Sequence, residues 1–286
     1  MSQIVYLNGS LIPRKKALIS AMDYGFLYGF GLFETMRAYS GQVFHLERHT
    51  KRLTHSAELL RLPIRALTLK SAVMDTIRAN KLSEARIRIT VSIGEGGMPP
   101  DPNTCNKPTV LIVADHYQPY PEQVYQKGFR AVISSMRCNS QSPLSKIKSA
   151  NYLESILARQ EARAAGVDES LFLNEKGLLA EASMSNIFLV SNGILRTPAE
   201  ESGILPGITR QIILELASQL GINALEQDIS LNELSQAEEA FLTNSLIEVM
   251  PLTEITDKPI GSGKPGSLTQ RLMTAYKKLV TPESSV

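Results

Sequence analysis

Three polar segments, each lying where the apolar pattern breaks, constrain the fold of this chain more than anything else in it. They are Lys148-Ser149-Ala150-Asn151-Tyr152, then Glu181-Ala182-Ser183-Met184-Ser185-Asn186, then Gly207-Ile208-Thr209-Arg210. The first falls at a strand-to-helix junction, the second at the end of a hairpin strand, and the third opens a helix just after Pro206. Both strands and helices are therefore expected in the second half of the chain.

The surrounding sequence predicts those elements. Ile4-Val5-Tyr6-Leu7 before Asn8-Gly9 reads as a strand entering a hairpin, because Asn-Gly accepts the positive φ angles of a tight turn. Residues 33–39 and 42–46 form a second hairpin pattern about Ser40-Gly41. Helical spacing covers 46–62, with Leu46, Leu53, Ala57 and Leu60 on one face, and resumes over 68–79. Residues 86–93 alternate with period two, as a strand with one apolar face does, while 109–114 read as a fully buried partner strand. Between them Gly94 to Pro102 is too rich in Gly and Pro for regular structure and reads as a surface loop. Later strands are expected over 131–136, 170–174, 178–181, 187–190 and 194–196, and residues 238–243 lead into Asn244-Ser245-Leu246. Helices are expected over 150–165, 208–220 and 268–279, the first with Leu153, Ile156, Leu157 and Ala164 as its packing face.

Tyr117-Gln118-Pro119-Tyr120-Pro121 is the best linker pattern, since proline stiffens a connection and denies it ladder hydrogen bonds. The expected organisation is a small domain of residues 1–117, a linker over 118–124 and a larger domain of 125–286. A chain of 286 residues has ample volume for such cores. Thirty basic residues against 28 acidic ones leave +2, too little to argue for a nucleic acid or a membrane surface as partner. Cys105 and Cys138 have no paired spacing, and no apolar run nears the length of a membrane span, so a cytoplasmic protein is expected. His45, His49, His55 and His116 lack metal-ligand spacing, and no metal is expected.

The order and approximate spacing of the three segments resemble the aminotransferase class IV family, which includes branched-chain and D-amino-acid aminotransferases and aminodeoxychorismate lyase. The resemblance covers nearly the whole chain. It implies an α/β, two-domain fold type IV enzyme with pyridoxal 5'-phosphate as cofactor, a small N-terminal α/β domain and a larger cofactor-binding one. Lys148 then stands in the register of the catalytic lysine that forms the Schiff base, an amine that must spend part of its time unprotonated. Lys146, two residues away on the same face, is its internal competitor. Glu181 matches the carboxylate that keeps the pyridine ring protonated. Gly207, Ile208 and Thr209 match the phosphate cradle at a helix start, where unsatisfied amides and the helix dipole favour an anion. His49-Thr50-Lys51-Arg52-Leu53 matches the family's His-x-x-Arg-Leu, which makes Arg52 the phosphate cation. Tyr152, Ser185, Asn186 and Ser245 complete the expected cofactor contacts. Tyr152 follows the lysine by one residue fewer than the corresponding tyrosine of branched-chain enzymes.

Tyr28-Gly29-Phe30-Gly31-Leu32-Phe33-Glu34-Thr35-Met36-Arg37 matches the family segment that lines the substrate pocket. It nominates Tyr28, Phe33, Thr35 and Arg37, with Arg88 as partner for a substrate carboxylate and Leu246 from the last turn. The function this implies is transfer of an amino group between an amino acid, of branched-chain type or glutamate, and a 2-oxo acid. Thr35 and Asn244-Ser245-Leu246 resemble instead the aminodeoxychorismate lyase branch, which releases pyruvate and 4-aminobenzoate. Family enzymes are homodimers with the active site near the interface, so a homodimer is implied by analogy.

Overall fold

The computed structural model describes residues 3–64, 66–105 and 107–281. They divide into two compact units. The first runs up to Gln118 and also takes Ile147–Asn151; the second holds Pro119–Lys146 and the chain from Tyr152 onward. The break thus falls at the start of the expected linker, and the end of that linker already belongs to a helix, α4 below.

The first unit is an antiparallel sheet in the order β2-β1-β6-β5-β3-β4. Its strands are β1 (Ile4–Leu7), β2 (Ser10–Pro13), β3 (Gly31–Tyr39), β4 (Gln42–Val43), β5 (Ala85–Ser92) and β6 (Thr109–His116). Asn8 and Gly9 adopt φ of 47° and 99°, as the Asn-Gly turn requires. On one face of the sheet Leu32, Met36, Ile87, Ile89 and Val91 are sealed from solvent. Helices α2 (Leu46–Leu59) and α3 (Ala66–Ala79) add their apolar residues to this core, among them Leu53, Ala57, Val73 and Ile77. A short helix, α1 (Tyr24–Tyr28), ends at Gly29 in the left-handed region. Strand β6 corrects one expectation: only Ile112 and Ala114 are buried, because its alternate residues lie on the face that this core does not cover.

The second unit is built on a mixed nine-stranded sheet. The strands are β7 (Phe129–Cys138), β8 (Glu169–Asn174), β9 (Leu179–Ala182), β10 (Asn186–Ser191), β11 (Ile194–Pro198), β12 (Ala224–Gln227), β13 (Glu239–Asn244), β14 (Glu248–Ile255) and β15 (Lys258–Pro259). They run in the order β12-β11-β10-β13-β14-β7-β8-β9, with β15 paired to β14. The helices are α4 (Glu122–Lys127), α5 (Leu153–Ala164), α6 (Ile208–Gln219), α7 (Leu231–Ser235) and α8 (Ser267–Val280).

Two differences from expectation have clear causes. Helix α5 turns its large apolar residues outward: Leu153, Ile156 and Leu157 are 66%, 46% and 40% exposed. Its buried residues are Ala158 and Ala162, four apart, whose small side chains let the helix lie close to the strands beneath. Strand β14 is invisible to pattern reading because Pro251 interrupts it. The ladder to β7 begins at Leu252, so on that side the missing N–H of Pro251 has no bond to lose.

Candidate active site

In the first unit the Lys148 segment is stitched to the start of β3. Phe33 N donates to Lys148 O at 2.9 Å, Ala150 N donates to Gly31 O at 2.8 Å, and Leu32 bridges Ser149. The glycines allow it: a Cβ on Gly29 would lie 2.5 Å from Asn151 Oδ1, and one on Gly31 would lie 2.6 Å from Val91 O. Lys148 Nζ stands over the Phe33 ring at 4.7 Å from its centre, and the Arg88 guanidinium lies over the same ring at 3.8 Å.

Alternation puts Glu34 on the opposite, buried face of β3, in line with Leu32 and Met36. Its carboxylate takes Arg52 Nε on Oε1 and Arg52 Nη2 on Oε2, both at 2.8 Å, and His49 Nδ1 is also 2.8 Å from Oε2. Burial alone would raise Glu34, but the Arg52 charge and the His49 hydrogen bond outweigh it and hold the carboxyl at about 2. His49 is pushed down, first by burial and further by the charges of Arg52 and Lys148, against the pull of Glu34. The ring is thus neutral at pH 7, and its Nδ1–H donates to the carboxylate.

The substrate candidates of this unit do not all gather. Thr35 pairs across the sheet with Arg88, next to Phe33. Arg37 is wedged between Tyr39 and Tyr117, with Glu84 at 3.8 Å, two residues further along. Tyr28 is half exposed, and its hydroxyl reaches Met98 Sδ at 3.1 Å.

In the second unit Glu181, on β9, receives Asn186 Nδ2 at 3.0 Å and Leu205 N at 3.1 Å on its Oε2. The Asn186 amide also donates to Leu205 O, which ties the carboxylate to the segment leading into α6. Gly207 is the N-cap of α6 and offers no side chain to its amides, while Ile208 and Thr209 behind it are buried. A Cβ on Gly207 would fall 1.9 Å from Asn186 Oδ1, so any other residue would have to displace the Asn186 side chain. Tyr152 N-caps α5 and its hydroxyl reaches Ser183 O at 3.4 Å. Ser183 in turn donates to Glu169, a carboxyl raised by burial despite that bond. Asn244 clamps the last turn: its Oδ1 accepts from Leu246 N and Ile247 N, and its Nδ2 donates to Ser185 Oγ at 2.9 Å. Ser245 lies within that clamped turn.

Four residues in these networks, Glu34, His49, Glu169 and Asn244, were not among the sequence candidates. Strand parity could have found Glu34, since it shares its face with Leu32 and Met36. Nothing in the sequence singles out Glu169.

A family model, amino-transferase class IV, matches residues 31–255, most of the chain. The chain belongs to the class IV aminotransferase family. A Methanocaldococcus jannaschii protein provisionally named a branched-chain-amino-acid aminotransferase is 39% identical over 97% of this chain and 96% of its own length. Aminodeoxychorismate lyase of Bacillus subtilis is 33% identical over 96% of this chain and 94% of its own. Among solved structures, the branched-chain amino acid aminotransferase of Escherichia coli superposes with a TM-score of 0.94 at 32% identity, covering 100% of this chain and 97% of that one. The α/β architecture is therefore the one shared by these enzymes.

Class IV aminotransferases use pyridoxal phosphate, and the donor set of this member suits that group. One unit has an amine over the Phe33 ring and a guanidinium held by a buried carboxylate. The other supplies a carboxylate fixed by an amide and a backbone N–H, and a helix start without a side-chain cap where a Cβ has no room.

Proposed function

We propose that this protein is a pyridoxal-phosphate-dependent aminotransferase that moves an amino group between an amino acid, of branched-chain type or glutamate, and a 2-oxo acid. The observation that carries the reading is the Lys148 segment stitched to β3, with its Nζ over Phe33. When bound, the cofactor supplies an electron-withdrawing ring that makes the substrate Cα–H acidic. Lys148 would hold the cofactor's aldehyde, and its free Nζ would take the proton from the substrate Cα and give it back. Glu181 keeps a proton on the ring nitrogen, the reason for its two fixed donors. Arg52 and the amides of Ile208 and Thr209 bind the phosphate, with Tyr152, Ser185, Asn186 and Ser245 shaping the surround. Arg88 takes a substrate carboxylate on its planar fork. Phe33 and Thr35, next to Arg88, set which side chain fits, together with Leu246.

The same reading includes a homodimer and a cytoplasmic location. The outward apolar stripe of α5 supports a partner surface, as do Leu18, Ile19, Met22 and Phe26 in the other unit, all exposed. Both cysteines are free thiols, as a reducing compartment leaves them.

One observation favours a second reading. Asn244 Oδ1 occupies the amides of Leu246 and Ile247, in the turn that resembles the lyase branch. The deciding experiment is the visible absorbance of the purified protein, before and after separate additions of L-leucine, L-glutamate and D-alanine. Growth of the pyridoxamine band with one of them is expected, and names the donor. A yellow protein that none of them changes, but that releases pyruvate from aminodeoxychorismate, would replace transfer with the lyase reaction.

A further inference from the structure

We propose that Glu34, braced by His49, is a positioning residue that holds the Arg52 guanidinium at a set place relative to Lys148, so that phosphate cation and anchoring amine keep one separation. The inference rests on the reading above, in which Arg52 binds the phosphate and Lys148 the aldehyde. Three observations lead to it, all within the first unit.

First, both carboxylate oxygens of Glu34 are spent on Arg52, one on Nε and one on Nη2 at 2.8 Å each. Two parallel bonds to a planar fork fix its plane as well as its position, which a single bond would not. Second, the residue before Glu34 carries the other partner: Phe33 N holds Lys148 O, and the Phe33 ring lies beneath Lys148 Nζ. Adjacent residues of one strand thus grip the two groups that must bracket the cofactor. Third, Glu34 is completely buried on a face otherwise made of Leu32, Met36 and Ala38. An apolar residue there would serve stability as well or better, since taking two charges out of water costs about what their attraction returns. A carboxylate in that place is explained by geometry rather than by stability.

Charge counting and positioning predict opposite results. With Glu34 ionised and His49 neutral, the Glu34–Arg52 pair has no net charge, so removing the Glu34 charge leaves the guanidinium more attractive to an anion. A purely electrostatic role would make Glu34→Gln bind phosphate more tightly; a positioning role makes it bind more weakly, because the fork is free to turn.

The experiment strips the full chain of pyridoxal phosphate and titrates it with pyridoxal phosphate and, separately, with pyridoxal, which lacks the phosphate, following absorbance. Wild type, Glu34→Gln, Arg52→Gln and His49→Ala are compared. We expect Glu34→Gln to weaken pyridoxal phosphate by about tenfold or more, as loss of a charge-assisted bond does. Pyridoxal affinity should stay within about twofold of wild type, a selectivity that general loosening of the fold would not produce. Pyridoxal phosphate bound by Glu34→Gln as tightly as by wild type, or a parallel loss for both ligands, overturns the proposal. If Glu34→Gln does not fold by circular dichroism, His49→Ala decides, since it removes the brace and keeps both Glu34–Arg52 bonds. A loss of about threefold or more confined to pyridoxal phosphate supports the proposal, and unchanged affinity overturns it. Failure of the underlying reading looks different: Arg52→Gln would then cost nothing, or wild type would not distinguish the two ligands.

Discussion

The two units assemble their polar groups by different means. In the first, ionic side chains on a strand and a helix neutralise each other, as Glu34 and Arg52 do, while a neutral His49 donates to the same buried carboxylate. In the second, the groups are held through the backbone: Glu181 by Leu205 N, the last turn by Asn244 on two amides, and α6 by a glycine start packed against Asn186. A buried charge cluster fails abruptly, because any member left alone keeps its desolvation cost without its partner. Backbone-held groups fail by degrees, since each neutral bond is worth about 1 kcal/mol and its neighbours remain.

The largest effect tests the proposed chemistry. Lys148→Ala should lower turnover by more than about a thousandfold, as proton transfer by a placed base contributes roughly 10²–10⁴ on its own. Turnover of the variant at the wild-type rate would sink the aminotransferase reading.

Next comes the abrupt failure. Glu34→Ala takes the carboxylate from the half-buried Arg52 and from the buried His49 and should cost about 3 kcal/mol of stability by urea unfolding. A loss under about 1 kcal/mol would show that the two units do not differ in this way. Acid should expose the same cluster. The His49 pKa lies below its ordinary 6.5, so the unfolded chain takes up that proton first and stability declines as pH falls below 6.5. Glu34, lowered from 4.5 to about 2, contributes stability that is whole above 4.5 and disappears as pH falls toward 2. The stability difference between wild type and Glu34→Gln should therefore shrink across that lower window; a pH-independent difference would contradict the assigned charge.

Gly207→Ala tests graded failure in the second unit. Its Cβ must displace Asn186, which should cost about 1–3 kcal/mol and loosen cofactor retention without unfolding the chain. The smallest effect belongs to Ser230→Ala. It removes the reciprocal capping of α7 by Ser230 and Glu233, so a loss of about 1 kcal/mol with unchanged turnover is expected. A large drop in activity there would mean that the second unit is less modular than its backbone-held site suggests.

Helix α7 shows how legibility fails even where a signal exists. Ser230-Leu231-Asn232-Glu233 is a capping-box sequence, but it opens a helix too short for periodicity to mark. Asn8-Gly9 and Ser40-Gly41 were legible because a turn declares itself within two residues; all four have positive φ. The motif residues were legible by resemblance, but their partners were not. That Arg52 would share a carboxylate with His49, or that Asn244 would cap the amides beside it, depends on contacts that sequence spacing does not encode.

What the sequence by itself determined is local: the alternation of β5, the turns, the helix start at Ile208, and the family to which the ordered segments point. Each follows from sterics or periodicity acting over a few residues. Tertiary structure alone decided that the large apolar residues of α5 face outward, that Glu34 is ionised inside a core, and that the Lys148 segment joins the first unit although the chain around it belongs to the second. These depend on which distant surface each segment meets, because burial and charge are properties of the assembled surroundings and a residue acquires them only when those surroundings close around it.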